Sequence, residues 1–323
     1  MHYLVTGGAG FIGSHLTENL LAAGHAVTVL DDCSTGRVGN LSAVADHPKL
    51  QIIRDSVASE RTVDIAMSHC DAVFHLASAV GVKLIVDKPV QTISTIIRGT
   101  ETVLESAYKY NRPTLITSSS EVYGKGTRVP FAEDEDVVMG STAHTRWCYA
   151  YAKGIDEFLG LAYYRQFGLP VTIVRLFNTV GPRQVGMYGM VLPRFVEAAL
   201  NGDPLHVYGD GKQSRCFCHV ADVVDALIRL MNTPPARGGV FNLGSDEEIT
   251  IEALAAKVIE MANSPSGIER ISYEEAYGQH FDDLPRRVPK LDRIRSAIGF
   301  QPRHSLAQII GSVIDQHRRG LPV

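Results

Sequence analysis

The segment 5–13, which reads VTGGAGFIG, constrains the fold more than any other part of the chain. It follows an apolar run typical of a strand and begins a helical pattern, FIGSHLTENLLAAG. Gly7, Gly10 and Gly13 permit a tight turn and let the backbone approach a pyrophosphate, to which the first amides of the helix would donate. A plain strand-to-helix turn could contain the same glycines, so a second signal is needed.

The second strand supplies that signal. The run AVTVL ends in Asp31 and Asp32, about twenty residues after the glycines, where an acidic side chain accepts hydrogen bonds from the hydroxyls of an adenosine ribose. A carboxylate at this position also repels the 2′-phosphate of NADP, because the two charges have the same sign. The two signals together predict that the chain binds NAD.

The first part of the chain alternates short apolar runs with helical patterns. The predicted strands read HYLVTG, AVTVLDD, LQIIRD, DAVFHLAS, PTLITSS and PVTIVRLFN. Strands that alternate with helices predict an α/β fold with a doubly wound parallel sheet of the Rossmann type. After residue 178 the loops become rich in glycine and polar residues, which predicts a smaller α/β lobe. We expect the lobes to comprise residues 1–178 and 179–323, with the chain crossing between them.

Composition excludes several classes of function. The 323 residues carry a net charge of -4, without the polybasic segments of proteins that bind nucleic acids or anionic membranes. Five scattered cysteines predict reduced thiols, and Cys216 and Cys218 stand too close together for a zinc pair, so we expect no metal site. The chain begins without a leader and has no apolar run of about 20 residues, so we expect a soluble cytoplasmic protein.

The sequence YAYAKG contains a candidate catalytic pair, Tyr149 and Lys153. Residues four apart share one face of a helix, so the two side chains would lie together. A lysine cation lowers the pKa of a neighbouring phenol, which would let Tyr149 act as a base near neutral pH. The same spacing also occurs between surface neighbours, and Tyr151 is a competing tyrosine.

Several motifs occur in a set order: GGAGFIG, the acid of the second strand, HLAS, SSSEVYG, YAYAK and RLFNTVGPR. In this combination the chain resembles, over almost its whole length, the extended short-chain dehydrogenase/reductase family of nucleotide-sugar enzymes. The resemblance implies that residues 1–178 hold NAD tightly and carry Ser119, Tyr149 and Lys153 as catalytic residues. It also implies that residues 179–323 bind a nucleoside-diphosphate sugar, with a UDP-sugar as the expected partner.

The resemblance further implies which residues contact the two ligands. Contacts with NAD are expected from Gly7, Gly10, Phe11, Ile12, Gly13, Asp31, Asp32, Ser34, Thr35, Gly36, Asp55, Ser56, Leu76, Ala77, Ser78, Thr117, Tyr149, Lys153 and Thr179. Contacts with the nucleotide sugar are expected from Ser119, Ser120, Glu121, Tyr149, Asn178, Arg183, Val191, Val207, Tyr208, Arg215 and Arg287. Arg215 and Arg287 would meet the phosphates or a sugar carboxylate, and the segment 207–209 would lie along the nucleoside.

Enzymes of this family share one chemical opening, in which tyrosinate removes the proton from the hydroxyl on sugar carbon 4 while hydride passes to NAD. A 4-epimerase then turns the keto sugar over, a 4,6-dehydratase eliminates water, and a decarboxylase releases carbon dioxide from a uronic acid. The dehydratases carry an Asp-Glu pair where this chain has Ser120 and Glu121. The stretch Ser119-Ser120-Glu121 is instead similar to the Thr-Ser-Glu of UDP-glucuronate decarboxylases, in which the glutamate acts near carbon 5, in proton handling or carboxylate positioning.

Two further features favour a decarboxylase. Arg146 and Trp147 precede the catalytic tyrosine in a pattern similar to that of bacterial UDP-glucuronate decarboxylases, and Arg287 falls where those enzymes carry an arginine needed for decarboxylation. An arginine can hold a carboxylate bidentately. The resemblance thus implies an NAD-dependent decarboxylation of UDP-glucuronate that gives UDP-xylose or releases some UDP-4-keto-pentose, with Glu121 and Arg287 among the catalytic residues.

Other interpretations stay open at this point. Glu121 could bond backbone amides of the next turn, and Arg146 could be a solvated residue at the start of a helix. The loop around Lys83 and the position of Ile96 depart from the decarboxylases, which leaves room for a 4-epimerase of UDP-glucose or UDP-glucuronate. A dTDP-glucose 4,6-dehydratase ranks third because Ser120 replaces its acid, and an NAD-sensing protein without catalysis ranks last.

The resemblance also implies an assembly. Two long helices of each subunit, predicted within 96–110 and 149–166, would form the four-helix interface of a homodimer. We expect no nucleic-acid or membrane partner.

Overall fold

The computed structural model describes residues 1–186, 190–277 and 284–319. Parts of the predicted second lobe, 187–189, 278–283 and 320–323, lie outside the described residues. The strands are β1 His2–Thr6, β2 Ala26–Leu30, β3 Leu50–Ile53, β4 Ala72–His75, β5 Thr114–Ser119, β6 Val171–Leu176, β7 Thr179–Val180, β8 Leu205–Tyr208, β9 Ser214–Cys216, β10 Cys218–His219, β11 Val240–Leu243, β12 Glu248–Thr250, β13 Ile268–Ile271 and β14 Arg286–Arg287. The α-helices are α1 Phe11–Ala22, α2 Glu60–Ser68, α3 Val82–Asp87, α4 Pro89–Tyr110, α5 Cys148–Phe167, α6 Val191–Asn201, α7 Val220–Met231, α8 Ile251–Ala262, α9 Tyr273–Tyr277, α10 Asp292–Ile298 and α11 Leu306–Arg318.

Seven strands form one parallel sheet in the order β11-β6-β5-β4-β1-β2-β3. Leu4, Val73 and Leu115 in its middle strands are fully buried, because helices cover both faces of the sheet. All six predicted strands are present, which confirms the doubly wound Rossmann-type fold. The sequence analysis does not predict β11, VFNL, because this run lies beyond residue 178, in the stretch assigned to the second lobe.

Helices α1, α7 and α10 cover one face of the sheet, and α2, α4 and α5 cover the other. Each buries an apolar stripe, such as Leu16 and Leu20 of α1 or Val103 and Ala107 of α4. Helix α4 begins at Pro89, earlier than the pattern TISTII suggests. Proline suits the first turn of a helix, because an amide there would have no partner within the helix.

The strand order reverses at β1, which lies between β2 and β4. The loops on the two sides of such a reversal diverge, so a crevice opens at the carboxyl ends of the strands. The glycine turn follows β1, Asp31 follows β2, and Ser119 ends β5. The topology therefore brings these three parts of the predicted site to one edge of the sheet.

The C-terminal lobe has its own apolar core, in which α6, α8 and α11 pack together with β8. Strand β8 pairs with β13, and β9 pairs with β12 and β14. Strand β11 and helix α7 come from beyond residue 179 but pack with the first lobe, so the chain returns to the central sheet. In the described ranges, no helix combines the length and the apolar character that a membrane span requires.

Candidate active site

A cavity of about 470 Å³ runs from the glycine turn after β1 into the C-terminal lobe. Most of the predicted ligand contacts line it: Gly7, Gly10, Phe11, Ile12, Gly13, Asp31, Asp32, Ser34, Thr35, Leu76, Ala77, Ser78, Thr117, Ser119, Ser120, Glu121, Tyr149, Lys153, Asn178, Thr179, Arg183, Val191, Tyr208, Arg215 and Arg287. These residues come from both lobes. The cavity therefore joins the predicted cofactor half to the predicted substrate half.

Four predicted contact residues do not line this cavity: Gly36, Asp55, Ser56 and Val207. Gly36 packs against the backbone of Ala9, and the Asp55 carboxylate accepts hydrogen bonds from the Ser56 amide and the Thr62 hydroxyl. Val207 is fully buried in the core of the C-terminal lobe. The direct ligand contacts expected of these four residues therefore stay predictions.

The glycine turn leaves no room for side chains. A Cβ atom on Gly13 would lie 2.1 Å from the Gly7 carbonyl oxygen, and a Cβ atom on Gly7 would lie 2.8 Å from the Ala77 amide nitrogen. Gly10 occupies the N-cap position of α1, so no side chain caps the first amides of that helix. Those amides and the helix dipole face the cavity as an anion site, which fits the pyrophosphate of a dinucleotide.

Asp31 and Asp32 differ in their surroundings. The buried carboxylate of Asp31 accepts hydrogen bonds from the amides of Ala9 and Cys33, at 2.9 and 2.8 Å, and so ties the glycine turn to the end of β2. Burial raises the pKa of Asp31, and the two amides oppose that rise. Asp32 is exposed and accepts a hydrogen bond from the Ser34 amide. Each carboxylate oxygen can accept a further hydrogen bond, so both residues fit a ribose diol.

Tyr149 lies in the first turn of α5, and Lys153 lies one turn later on the same face. The Lys153 Nζ atom donates to the Thr117 carbonyl oxygen at 3.0 Å and to the Asp156 carboxylate at 3.2 Å. A third N–H of the ammonium group is left for the cavity. Ser119 accepts a hydrogen bond from the Glu121 amide, and its hydroxyl also bonds with Tyr149. The three predicted catalytic residues are therefore brought together.

The pKa of Tyr149 is raised, whereas the sequence predicts that Lys153 lowers it. Burial of the phenol is the largest cause, and it outweighs the lowering by Lys153 and by the hydrogen bond with Ser119. Glu121 and Asp156 raise the pKa further, because a nearby negative charge disfavours tyrosinate. The predicted lowering by Lys153 is therefore present, but the net change in the pKa is upward because burial outweighs it.

Glu121 binds two arginines at the centre of the cavity. Its Oε2 atom lies 2.9 Å from Nη1 of Arg146, and its Oε1 atom lies 2.7 Å from Nη1 of Arg287. Burial alone would raise the pKa of Glu121, but Arg287, Arg146 and Arg215 lower it to about 2. Glu121 is therefore ionised at neutral pH and pairs with both arginines. The sequence left open that the Glu121 carboxylate bonds backbone amides. In the structure this carboxylate binds Arg146 and Arg287.

The surroundings of Arg287 are those of an anion site. Its side chain is buried, and its Nε atom finds no hydrogen-bond acceptor within the described residues. Arg215 lies nearby and uses its Nη1 atom to bond the carbonyl oxygens of Ser214 and Leu284. Arg287 also lines the cavity, so its guanidinium is placed to bind an anionic group of a ligand.

The predicted nucleotide-sugar contacts extend into the C-terminal lobe. Asn178 donates to the Cys216 carbonyl oxygen at 2.9 Å, which leaves its amide oxygen available to a ligand. Arg183 bonds Ser14 and the Glu18 carboxylate of α1, so its guanidinium links the two lobes. The predictions omitted Arg194, whose guanidinium lies 4.4 Å from the centre of the Tyr208 ring. A cation among the apolar residues VLPRFV was the available signal for Arg194.

The two departures from the decarboxylase pattern have different outcomes. Ile96 is buried and belongs to an apolar cluster with Ile85, Tyr149 and Ala152. It therefore contributes to the apolar packing beside the catalytic tyrosine. The side chain of Lys83 lies outside what the structure describes.

A parallel sheet with a glycine turn and, at its carboxyl edge, a serine beside a buried tyrosine and lysine defines a dehydrogenase/reductase of the short-chain class. The chain belongs to the NAD dependent epimerase/dehydratase family, whose sequence model matches residues 3–244. This match confirms the resemblance that the motifs indicate, and it confirms NAD as the cofactor.

Individual relatives agree with this classification. The chain is similar to a UDP-N-acetyl-alpha-D-glucosaminuronate decarboxylase of Bacillus cytotoxicus, with 41% identity over 98% of this chain and 97% of that protein. It is similar to UDP-glucuronic acid decarboxylase 2 of Arabidopsis thaliana, with 36% identity over 99% of this chain and 68% of that protein. Among solved structures it is similar to a UDP-glucose 4-epimerase of Thermotoga maritima determined with UDP-glucose, with a TM-score of 0.89, 29% identity and full coverage of both chains.

Proposed function

We propose that this protein is an NAD-dependent decarboxylase of a UDP-linked uronic acid. UDP-glucuronate is the first candidate substrate, and UDP-xylose or released UDP-4-keto-pentose is the product. The observation that carries the proposal is the pairing of Glu121 with both Arg146 and Arg287 inside the cavity. Arg146 and Arg287 carry two positive charges, and Glu121 carries one negative charge. One positive charge is therefore left to bind the carboxylate of the substrate.

Arg287 is the residue best suited to bind that carboxylate. Its guanidinium presents a planar fork of donors, and its Nε atom has no acceptor within the described residues. Glu121 holds the Nη1 atom at 2.7 Å, so the orientation of the fork is set before substrate arrives. A preorganised donor loses little conformational freedom on binding. Glu121 therefore acts by positioning Arg287 and Arg146, not by transferring a proton.

The reaction follows from this arrangement. Tyr149 acts in its tyrosinate form, which Lys153 and Ser119 favour, and takes the proton from the hydroxyl on sugar carbon 4. NAD⁺, when bound, would accept the hydride from that carbon and later return it. The new ketone lies β to the carboxylate on carbon 5, so the bond to the carboxyl carbon breaks and its electrons form an enolate as carbon dioxide leaves. Carbon 5 then takes a proton, and Tyr149 returns its proton as carbon 4 is reduced.

A second candidate substrate is UDP-N-acetylglucosaminuronate. The relative from Bacillus cytotoxicus that carries this activity in its name is 41% identical over nearly the whole of both chains. The two uronates share the carboxylate on carbon 5 and differ in the group on carbon 2. Arg287 and Glu121 would serve both substrates equally, so the choice between them belongs to other residues of the cavity.

The proposal is tested by incubating the purified protein with UDP-glucuronate, UDP-N-acetylglucosaminuronate or UDP-glucose, with and without added NAD, and weighing the products by mass spectrometry. Loss of one carbon dioxide from either uronate supports decarboxylation and identifies the substrate. UDP-glucose is the matched control because it lacks the carboxylate. An unchanged mass with a new retention time would mean 4-epimerisation and would overturn the proposal, as would the loss of water alone.

We propose that the two lobes have the separate roles that the sequence suggests. Residues 1–178 would hold NAD and the catalytic groups, and residues 179–323 would hold the nucleotide sugar, with β11 returning to the sheet. The cavity is lined by residues of both lobes, which supports this division.

A cytoplasmic location is also proposed, supported by five free cysteines, because thiols stay reduced in that compartment.

We propose a homodimer formed through α4 and α5. These helices lie side by side and leave a group of large apolar side chains exposed: Val90, Ile93, Ile155, Phe158 and Phe167. Phe158 is 78% exposed, and a contiguous exposed apolar surface marks an interface. Light scattering should give the mass of two chains, and Phe158→Asp should give the mass of one. Ile65→Asp, at an exposed apolar residue of α2, should leave the dimer intact.

A further inference from the structure

A buried carboxylate lies directly behind the catalytic lysine. Asp156 is fully buried on α5, and its Oδ2 atom accepts a hydrogen bond from Lys153 Nζ at 3.2 Å. The residue follows Lys153 by three positions and Tyr149 by seven, so all three side chains lie on one face of the helix. Burying a carboxylate is costly unless it is paired, and here the partner is a catalytic group.

The other polar groups around Asp156 do not take over this pairing. Glu157, the neighbouring carboxylate on α5, binds Arg175 and Ser118. His75 of β4 is held between the hydroxyls of Thr6 and Thr100, and burial lowers its pKa to about 3, so the ring is neutral. Burial raises the pKa of Asp156, whereas Lys153 and Thr100 of α4 oppose that rise, and the Asp156 Oδ1 atom has no hydrogen-bond partner within the described residues. Within the described part of the chain, Asp156 is the carboxylate that balances the Lys153 cation.

We propose that Asp156 is a positioning residue that offsets the charge of Lys153 and thereby sets the pH at which Tyr149 changes between phenol and tyrosinate. The inference rests on the first step of the proposed function, proton removal by Tyr149. Lys153 is held from two sides, by the Thr117 carbonyl oxygen and by Asp156. Its ammonium group therefore faces the cavity in one orientation.

The reaction cycle gives a reason for such an offset. Tyr149 must lose its proton easily when carbon 4 is oxidised and must give the proton back when carbon 4 is reduced. An unopposed lysine cation would favour tyrosinate throughout and would slow the return step. Asp156 opposes that cation from behind, while Glu121 raises the pKa of Tyr149 from the cavity side. The two carboxylates together keep the tyrosine able to act as an acid.

The test compares Asp156→Asn with two controls. Asparagine keeps the shape and the oxygen that accepts from Lys153 but removes the charge. Asp156→Glu keeps the charge, and Glu101→Gln removes a charge from the exposed surface of α4, the helix beside α5. The first readout needs neither substrate nor cofactor: a carbon-13 NMR titration of protein labelled at the tyrosine Cζ atom, with Tyr149→Phe identifying the resonance. The second readout is the acidic limb of the pH profile of kcat/KM.

We expect Asp156→Asn to lower the pKa of Tyr149 by about one unit. Coulomb's law gives a shift of this order for charges roughly 10 Å apart at an effective dielectric constant near 20. The acidic limb of kcat/KM should move to lower pH by the same amount. Glu101→Gln should match the wild type, and Asp156→Glu should keep the pKa of Tyr149 closer to the wild-type value than Asp156→Asn does. An unchanged or raised pKa of Tyr149 in Asp156→Asn would overturn the proposal, even if activity falls, because it would leave Asp156 with a structural role alone.

Asp156→Ser gives the same test if the asparagine variant does not fold, since serine is smaller and still polar. Circular dichroism would establish that each variant is folded before its titration is interpreted. The NMR titration also separates this proposal from the proposed function. If no uronate is decarboxylated but the Tyr149 resonance shifts as expected, the role of Asp156 stands and the substrate assignment fails.

Discussion

The Nη1 atom of Arg287 lies 2.7 Å from the Oε1 atom of Glu121, and this ion pair joins the two lobes across the cavity. Arg287 belongs to the short strand β14 in the C-terminal lobe, whereas Glu121 follows β5 of the central sheet. The Arg287 side chain is 9% exposed and the Glu121 side chain 14% exposed, so the pair is only weakly screened by solvent. A ligand that contacts Arg287 therefore contacts a group whose position depends on both lobes.

The planar guanidinium group of Arg287 should be required for recognition of the substrate carboxylate. Arg287→Lys keeps the charge but removes the planar arrangement of donors, so we expect KM for the uronate substrate to rise about ten- to a hundredfold. Steady-state kinetics with the uronate that proves active would measure the change. The control is Arg286→Lys, because Arg286 points to the surface and pairs with Glu248. An equal effect of both variants would argue against a specific role of Arg287.

The pairing of Glu121 should also affect stability in a way that depends on pH. Arginines lower the pKa of Glu121 from 4.5 to about 2 in the folded protein, so its contribution is fully present above pH 4.5 and is lost as the pH falls towards 2. A shift of this size corresponds to on the order of 3 kcal/mol at about 1.4 kcal/mol per pH unit. Urea unfolding of wild type and Glu121→Gln should show a difference at pH 7 that shrinks below pH 4.5. A difference that is constant with pH would contradict the pairing.

Tyr149 should be needed for turnover and not for binding. We expect Tyr149→Phe to reduce kcat roughly 10²- to 10⁴-fold, because the phenol oxygen carries the proton, and to leave NAD affinity nearly unchanged. Calorimetry with NAD and a product assay measure the two effects. Tyr151→Phe is the matched control, since Tyr151 is part-exposed and bonds only the Gly140 carbonyl oxygen among the described residues. Full function without the Tyr149 hydroxyl would indicate an NAD-binding protein instead of an enzyme.

The glycine turn should tolerate no side chain at Gly13. The new methyl group of Gly13→Ala would meet the Gly7 carbonyl oxygen at 2.1 Å, so the turn must shift. We expect a loss of about 1–3 kcal/mol in the free energy of unfolding, together with weaker NAD binding. Gly311→Ala is the control, because a methyl group on Gly311 of α11 meets no atom within 4 Å. Thermal unfolding and NAD titration of the two variants would decide the matter, and equal effects would contradict this account.

Much of the fold can be predicted from the sequence, because the signals are local. Strands β1 to β6 are short apolar runs between helical patterns, and each run is visible without knowledge of its neighbours. Strand β11 escapes prediction because it lies in the stretch assigned to the second lobe, and only the tertiary structure shows that it pairs with β6. Burial of Val207 beside the cavity-lining Tyr208 likewise depends on which face of β8 packs on the C-terminal core.

By itself, the sequence determined the class of fold and the cofactor half of the site. The glycine turn, the acid after the second strand and the Tyr149–Lys153 spacing each lie within a few residues, where the geometry of a turn or a helix sets the contacts. Tertiary structure alone decided the environment of the catalytic groups. Glu121, Arg146 and Arg287 come from three separate segments, and their convergence makes Glu121 an ionised partner of two arginines. The raised pKa of Tyr149 likewise arises from burial, which exists only when the lobes and helices are packed together.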